Sequence, residues 1–212
     1  MSQPEVVGGK RATIIFDTDK CIHSRACVLS RPDVFVPNVE GAWIHPDAAT
    51  PDEIAALALS CPSGAIKYER LDGGPQETPP IVNLVRIRED GPIAFHGELI
   101  IEGQPSTFRA TLCRCGASKK KPFCDGSHVA AGFKATGEPA TQGSQPLGSR
   151  AGVVKVTPRK NGPLSVEGNL EVVSGTGRTI NRLTKTTLCR CGQSANKPYC
   201  DGTHAKVGFT TD

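Results

Sequence analysis

Aromatic residues are scarce in this chain, with one Trp, two Tyr and seven Phe among 212 residues. Leu, Ile, Val and Phe together number 47, just above the level of roughly 20% below which chains stay disordered. One large hydrophobic core is therefore disfavoured, and several small units, each held by something besides apolar burial, are expected. No apolar run approaches the roughly 20 residues that cross a bilayer, so no membrane partner is expected. The net charge of +4 is too small and too dispersed to demand a nucleic-acid partner. The opening Met1-Ser2-Gln3-Pro4-Glu5 lacks the basic cap and apolar stretch of a secretory signal, which makes a reducing, cytoplasmic location the expectation. There is no Ser-His-Asp order, phosphate loop, nucleotide fingerprint or carboxylate pair, and the chain is not expected to be an enzyme.

What the chain does have is 23 Gly, 17 Pro and nine Cys. Clustered cysteines in a reducing compartment point to metal. The stretch TLCRCGASKKKPFCDGSHVAAGF beginning at Thr111 recurs as TLCRCGQSANKPYCDGTHAKVGF beginning at Thr187, an offset of 76. Upstream, the segment from Val82 aligns with that from Val153 at an offset of 71, so five extra residues enter the second copy, assigned to Ser174-Gly175-Thr176-Gly177-Arg178. Each copy spans about 55 residues, too few for a robust core of its own, and duplication supplies a partner.

Short runs rich in Val, Ile and Leu, separated by Asp-Gly-Pro or Asn-Gly-Pro turns, predict strands over 82–88, 93–101 and 107–112, and over 153–157, 164–173 and 179–188. The cysteine segments read as loops. Ala135 to Arg150, without a periodic apolar face, reads as a linker, and a second linker runs from Asp72 to Pro80. Before it lies a unit of different composition, with strands predicted over 13–16 and 65–68. Its helix is predicted over 51–60, capped by a Thr50–Glu53 box with Pro51 at the first position.

Candidate ligands in the copies are Cys113, Cys115, Cys124 and His128, then Cys189, Cys191, Cys200 and His204. Such a set could hold zinc, but structural zinc sites open with two to four residues between paired ligands, and here one residue intervenes. In an extended segment, residues two apart point the same way, so Cys113 and Cys115 can bond one iron of a two-iron cluster while Cys124 and His128, on one turn, take the other. Within that turn, Gly126 would let backbone approach sulfide and Asp125 would accept amide hydrogen bonds, two roles left unranked. A neutral imidazole in place of a thiolate removes a negative charge and raises the reduction potential. It also protonates in mild acid and then cannot coordinate, so acid-labile clusters are expected.

Both stretches fit C-x-C-x2-S-x3-P-x-C-D-G-[ST]-H, which resembles the signature of the mitoNEET-like CDGSH iron-sulfur family over roughly Ile81 to the C-terminus. The resemblance implies a 2Fe-2S cluster in each copy on the eight residues named. It also implies two β-rich repeats, 81–135 and 151–212, joined by a linker at 136–150 and paired as an intramolecular pseudo-dimer, as in tandem members of the family.

The N-terminal unit carries Cys21, Cys27 and Cys61, the last followed by Pro62, with Ser24 where a ferredoxin run has its second cysteine. This resembles a divergent mono-cluster ferredoxin-like domain, here 1–71, and the whole chain is expected to be of the α+β class. Three thiolates suit a 3Fe-4S cluster, or a 4Fe-4S cluster whose fourth iron takes water, Ser24 or His23. Cys21 and Cys27 as buried small hydrophobes are the plain alternative. Trp43, Phe133 and Phe209 are expected to pack beside clusters, and Arg114, Lys119, Lys120, Lys121, Arg190 and Lys197 to balance cluster charge, to dock an acidic partner or simply to be solvated.

Three functions follow: single-electron transfer to a redox partner protein, cluster storage or transfer to an apo-acceptor protein, and a structural zinc module. Electron transfer by a monomeric chain is favoured.

Overall fold

The computed structural model describes residues 3–211. They divide into two compact units between Thr78 and Pro79. Among the described residues no helix is long and apolar enough to cross a membrane.

The first unit contains β1 (Glu5–Gly8), β2 (Ala12–Phe16), α1 (Ala26–Ser30), α2 (Pro51–Ser60) and β3 (Ile66–Arg70), with the strands in an antiparallel sheet ordered β1-β2-β3. Alternation puts Ala12, Ile14 and Phe16 inward, where they meet Ile54, Leu57 and Ala58 of α2. The start of α2 is fixed as expected: the Thr50 hydroxyl accepts from the Glu53 amide while the Glu53 carboxylate accepts from the Thr50 amide. Strand β1 buries little, Val7 alone packing partly against the core, and joins the sheet through its backbone bonds to β2.

The second unit is built from β4 (Leu84–Ile87), β5 (Ile93–Ile101), β6 (Thr107–Leu112), α3 (Ser127–Ala130), β7 (Val153–Pro158), β8 (Leu164–Val173), β9 (Thr179–Leu188) and α4 (Thr203–Lys206). Within each repeat the three strands form an antiparallel meander. The repeats are also interleaved: β4 of the first pairs in parallel with β8 of the second, and β7 of the second pairs in parallel with β5 of the first. One core results, in which Val85, Ile87, Phe95 and Leu112 pack with Val156, Leu164, Val172 and Leu188. Each such apolar side chain contributes roughly 1.5–3 kcal/mol on burial.

The five surplus residues do not lie in the turn at 174–178, where the sequence placed them. The turn at 174–178 is as long as the one at 102–106, and the surplus lengthens the hairpin, β9 having ten residues where β6 has six. The segment from 135 to 150 forms no helix or strand but is tied down, the Gln142 amide donating to the Ile180 carbonyl and the Gly175 amide to the Gly137 carbonyl.

Candidate metal centres

Each Cys3His set is presented at the end of a meander. After β6 the chain leaves extended at Cys113, whose amide donates to the Pro122 carbonyl, and it returns at Cys124, whose amide donates to the Thr111 carbonyl. Cys189 and Cys200 repeat these bonds with Pro198 and Thr187. The loop between is stapled from inside. The buried Ser118 hydroxyl donates to the Phe123 carbonyl at 2.6 Å, and Ser194 does the same to Tyr199 at 2.7 Å. The sequence reading assigned these serines no role, although their recurrence in both copies was the available signal.

The donors stand in twos. Cys113 Sγ lies 3.7 Å from Cys115 Sγ, and Cys124 Sγ 3.6 Å from His128 Nδ1. In the second repeat the distances are 3.7 Å for Cys189 and Cys191 and 3.3 Å for Cys200 and His204. Among the described residues no three or more of His, Cys, Asp and Glu converge as a single-ion site would require. Nδ1 of each histidine faces the donors, while Nε2 of His128 points toward the β4–β5 turn, 3.9 Å from where a Cβ on Gly91 would stand.

Gly126 and Gly202, both at φ +85°, turn the chain between the third thiol and the histidine, which sits in the one-turn α3 or α4. Their amides point at the Cys124 and Cys200 sulfurs at 3.4 Å, as do those of Ala117 and Gln193 at Cys115 and Cys191. Asp125 accepts from the Lys119 and Ser127 amides, and Asp201 from those of Ala195 and Thr203. A Cβ on Gly126 or Gly202 would meet nothing within 4 Å, so the glycine is needed for its backbone conformation and the aspartate for the staple.

Burial raises the Cys124 thiol to about 11 and lowers the His128 imidazole, keeping it in the neutral form a metal requires. A hydrogen bond within the first pair lowers Cys113 and raises Cys115. Although burial works the other way, hydrogen bonds from Ser127 and Lys119 hold Asp125 at about 2, and bonds from Thr203 and Ala195 hold Asp201 well below the usual carboxylate range.

Two of the cations read as charge-balancing, docking or solvated groups are not solvated. Arg114 and Arg190 are 1% and 3% exposed, because each guanidinium is enclosed by loop carbonyls. The rings expected beside the clusters, Phe133 and Phe209, lie under these guanidinium groups at 5.4 and 5.6 Å.

In the first unit, Cys21, Cys27 and Cys61 line one cavity of about 310 Å³ together with Ser24, His23 and Trp43. That is several times the ~30 Å³ share of one water molecule. The thiols come from three places: the end of a single 3₁₀ turn, the first turn of α1 and the C-cap of α2. Cys21 and Cys27 are half-buried at the cavity, and burial raises both thiols. His23 and Arg25 bend the chain between them at φ +51° and +62°.

A family model described as iron-binding zinc finger, CDGSH type, matches residues 90–129 and 161–205, which enclose both Cys3His sets. A second, described as divergent 4Fe-4S mono-cluster, matches residues 7–71, which enclose the three-cysteine cavity. CDGSH iron-sulfur domain-containing protein 1 of Rattus norvegicus, and the protein of the same name of Mus musculus, are each 35% identical over 79 residues, covering 36% of this chain and 69% of theirs. The chain thus belongs to the CDGSH iron-sulfur family, as an iron-sulfur-binding member with two CDGSH segments and a divergent 4Fe-4S domain ahead of them.

Proposed function

We propose that this chain carries single electrons on three clusters. Two are 2Fe-2S, one on Cys113, Cys115, Cys124 and His128 and one on Cys189, Cys191, Cys200 and His204; the third, 3Fe-4S or 4Fe-4S, is on Cys21, Cys27 and Cys61. The observation that carries the reading is the division of each Cys3His set into a Cys–Cys pair and a Cys–His pair. Two donors per iron is what a rhombic two-iron cluster takes from a protein, whereas zinc asks for four convergent donors. The cavity around the three cysteines suits a cuboidal cluster held at separate irons from outside.

A bound cluster supplies reversible one-electron chemistry at iron. The chain's own residues shape it. The four amides aimed at cysteine sulfurs stabilise added negative charge, and the buried Cys113 and Cys189 keep water from one side of each centre. The interleaved strands support an internal pseudo-dimer, and the reading takes the chain as a monomer that works with a redox partner protein in the cytoplasm rather than as an enzyme. Transfer of a whole cluster to an apo-acceptor is the second reading, favoured by the position of His128 and His204, which are only partly buried.

Iron and sulfide counting with electron paramagnetic resonance on anaerobically purified protein tests the assignment. Two 2Fe-2S signals and one from a larger cluster are expected; stoichiometric zinc in a colourless protein would overturn it. Incubation with an apo-ferredoxin then separates the two readings, since electron transfer leaves the clusters on this chain.

The aspartate staples give a further expectation. Asp125→Ala and Asp201→Ala should each speed thermal loss of the cluster colour severalfold. The corresponding Asp→Asn changes should restore only part of the parent's persistence, because the two backbone bonds fall on different carboxylate oxygens and asparagine keeps one acceptor, its NH2 group facing the other amide.

A further inference from the structure

Among the described residues of the first unit, Ser63 is the one buried polar side chain, 4% exposed, and it lines the cavity of the three cysteines. A buried hydroxyl is costly unless it is hydrogen-bonded. The Ser63 oxygen accepts from the Ala65 amide at 3.4 Å and stands 3.6 Å from Cys61 Sγ.

The local chain explains this placement. Cys61 is the C-cap of α2, and the following Pro62-Ser63-Gly64 turns at once, with the Gly64 amide donating to the Cys61 carbonyl and Gly64 at φ +68°. The turn brings the side chain two residues after the cysteine back to its sulfur. Elsewhere the residue in that position serves through its backbone. The amides of His23, Ala117, Gly126, Gln193 and Gly202, each two residues after a cysteine, point at that cysteine's sulfur at 3.4 Å. At Cys61 a hydroxyl takes the same place. Between a free thiol and a hydroxyl either partner can donate. A thiolate bound to iron has no proton and only accepts, and the Ser63 oxygen already holds the Ala65 amide, so the hydroxyl hydrogen turns to sulfur.

We propose that Ser63 tunes the N-terminal centre, its hydroxyl donating to the Cys61 sulfur and raising the reduction potential. The inference rests on the reading that Cys21, Cys27 and Cys61 hold a 3Fe-4S or 4Fe-4S cluster. Reduction adds negative charge, and a hydrogen bond aimed at a ligand sulfur from a site shut off from water favours the reduced form.

The test is a redox titration of the full, loaded chain, followed by electron paramagnetic resonance at the signal of the larger cluster. Ser63→Ala should lower its midpoint by an about tenfold change in the ratio of reduced to oxidised form, or about 59 mV for one electron. Ser63→Thr keeps the hydroxyl and should stay near the parent. An unmoved midpoint in the alanine chain, or equal shifts in the two variants, would overturn the inference. If the alanine chain does not load, Ser63→Val is compared with Ser63→Thr, which has the same shape and differs by the hydroxyl. The valine midpoint should be the lower, and equal midpoints overturn the inference. Loss of the larger cluster from every chain that lacks the hydroxyl would make Ser63 a condition of assembly and defeat the tuning role. A parent chain without a larger-cluster signal defeats the proposed function instead, so the two failures are distinguishable.

Discussion

Gly192→Ala should strip the protein of both Cys3His centres, while Gly202→Ala should leave them in place. The two glycines have nearly the same backbone, φ +80° and +85°, so an alanine at either meets the same left-handed penalty of roughly 1–2 kcal/mol. Their surroundings differ. A methyl at Gly202 meets no protein atom within 4 Å, whereas at Gly192 it would stand 2.5 Å from the Cys115 carbonyl oxygen and 3.0 Å from the carbonyl carbon, and backbone cannot swing aside as a side chain does. Overpacking of that kind costs roughly 1–3 kcal/mol more. The damage also falls on a ligand of each repeat at once, since the backbones of Cys115 and Cys191 pair as an antiparallel bridge. Visible absorbance per chain and urea midpoints of the two variants check this. Equal cluster content in both would show that the close crossing of the ligand segments is dispensable.

His128→Cys and His204→Cys should each make one cluster persist through mild acid. An imidazole titrates near 6.5 and, once protonated, has no lone pair for iron. Burial already disfavours protonation of His128, so release should begin below that value. A metal-bound thiolate gives up its metal to protons only at lower pH. The aspartate staples do not confuse the result. Asp125 and Asp201 are held below their ordinary values, so what they contribute is present above about pH 4 and is lost only as pH falls further. At about pH 5.5 the decay of the substituted centre should slow by about tenfold or more, the ratio set by one unit of pKa. Its potential should fall, because a thiolate adds a negative charge. Decay at the parent's rate in both variants would place acid lability elsewhere.

Much of this was legible locally. Alternating runs from Ile93 and Leu164 marked strands at their observed bounds, and Thr50 with Glu53 marked the start of α2. The recurrence of the motif brought the eight candidate ligands into view, and the structure brings them together two by two. Three features were hidden for physical reasons. Alternation tells which side chains of β4 face inward but not that a strand of the other repeat lies alongside. Arg114 looked like any cation, since burial of arginine is rare and its carbonyl partners are far apart in sequence. The cross-bridge of Cys115 and Cys191 leaves a trace only in the two glycines that follow, and glycine has many reasons to occur.

The parallel pairings of β4 with β8 and β7 with β5 bear on how such a gene can shrink. A truncation that discards one motif does not yield half of a working protein. It yields strands with unsatisfied edges and an open apolar face, a fragment obliged to find another molecule like itself or to aggregate. Tandem fusion removes that dependence on concentration, so the chain assembles its paired sites equally well when scarce.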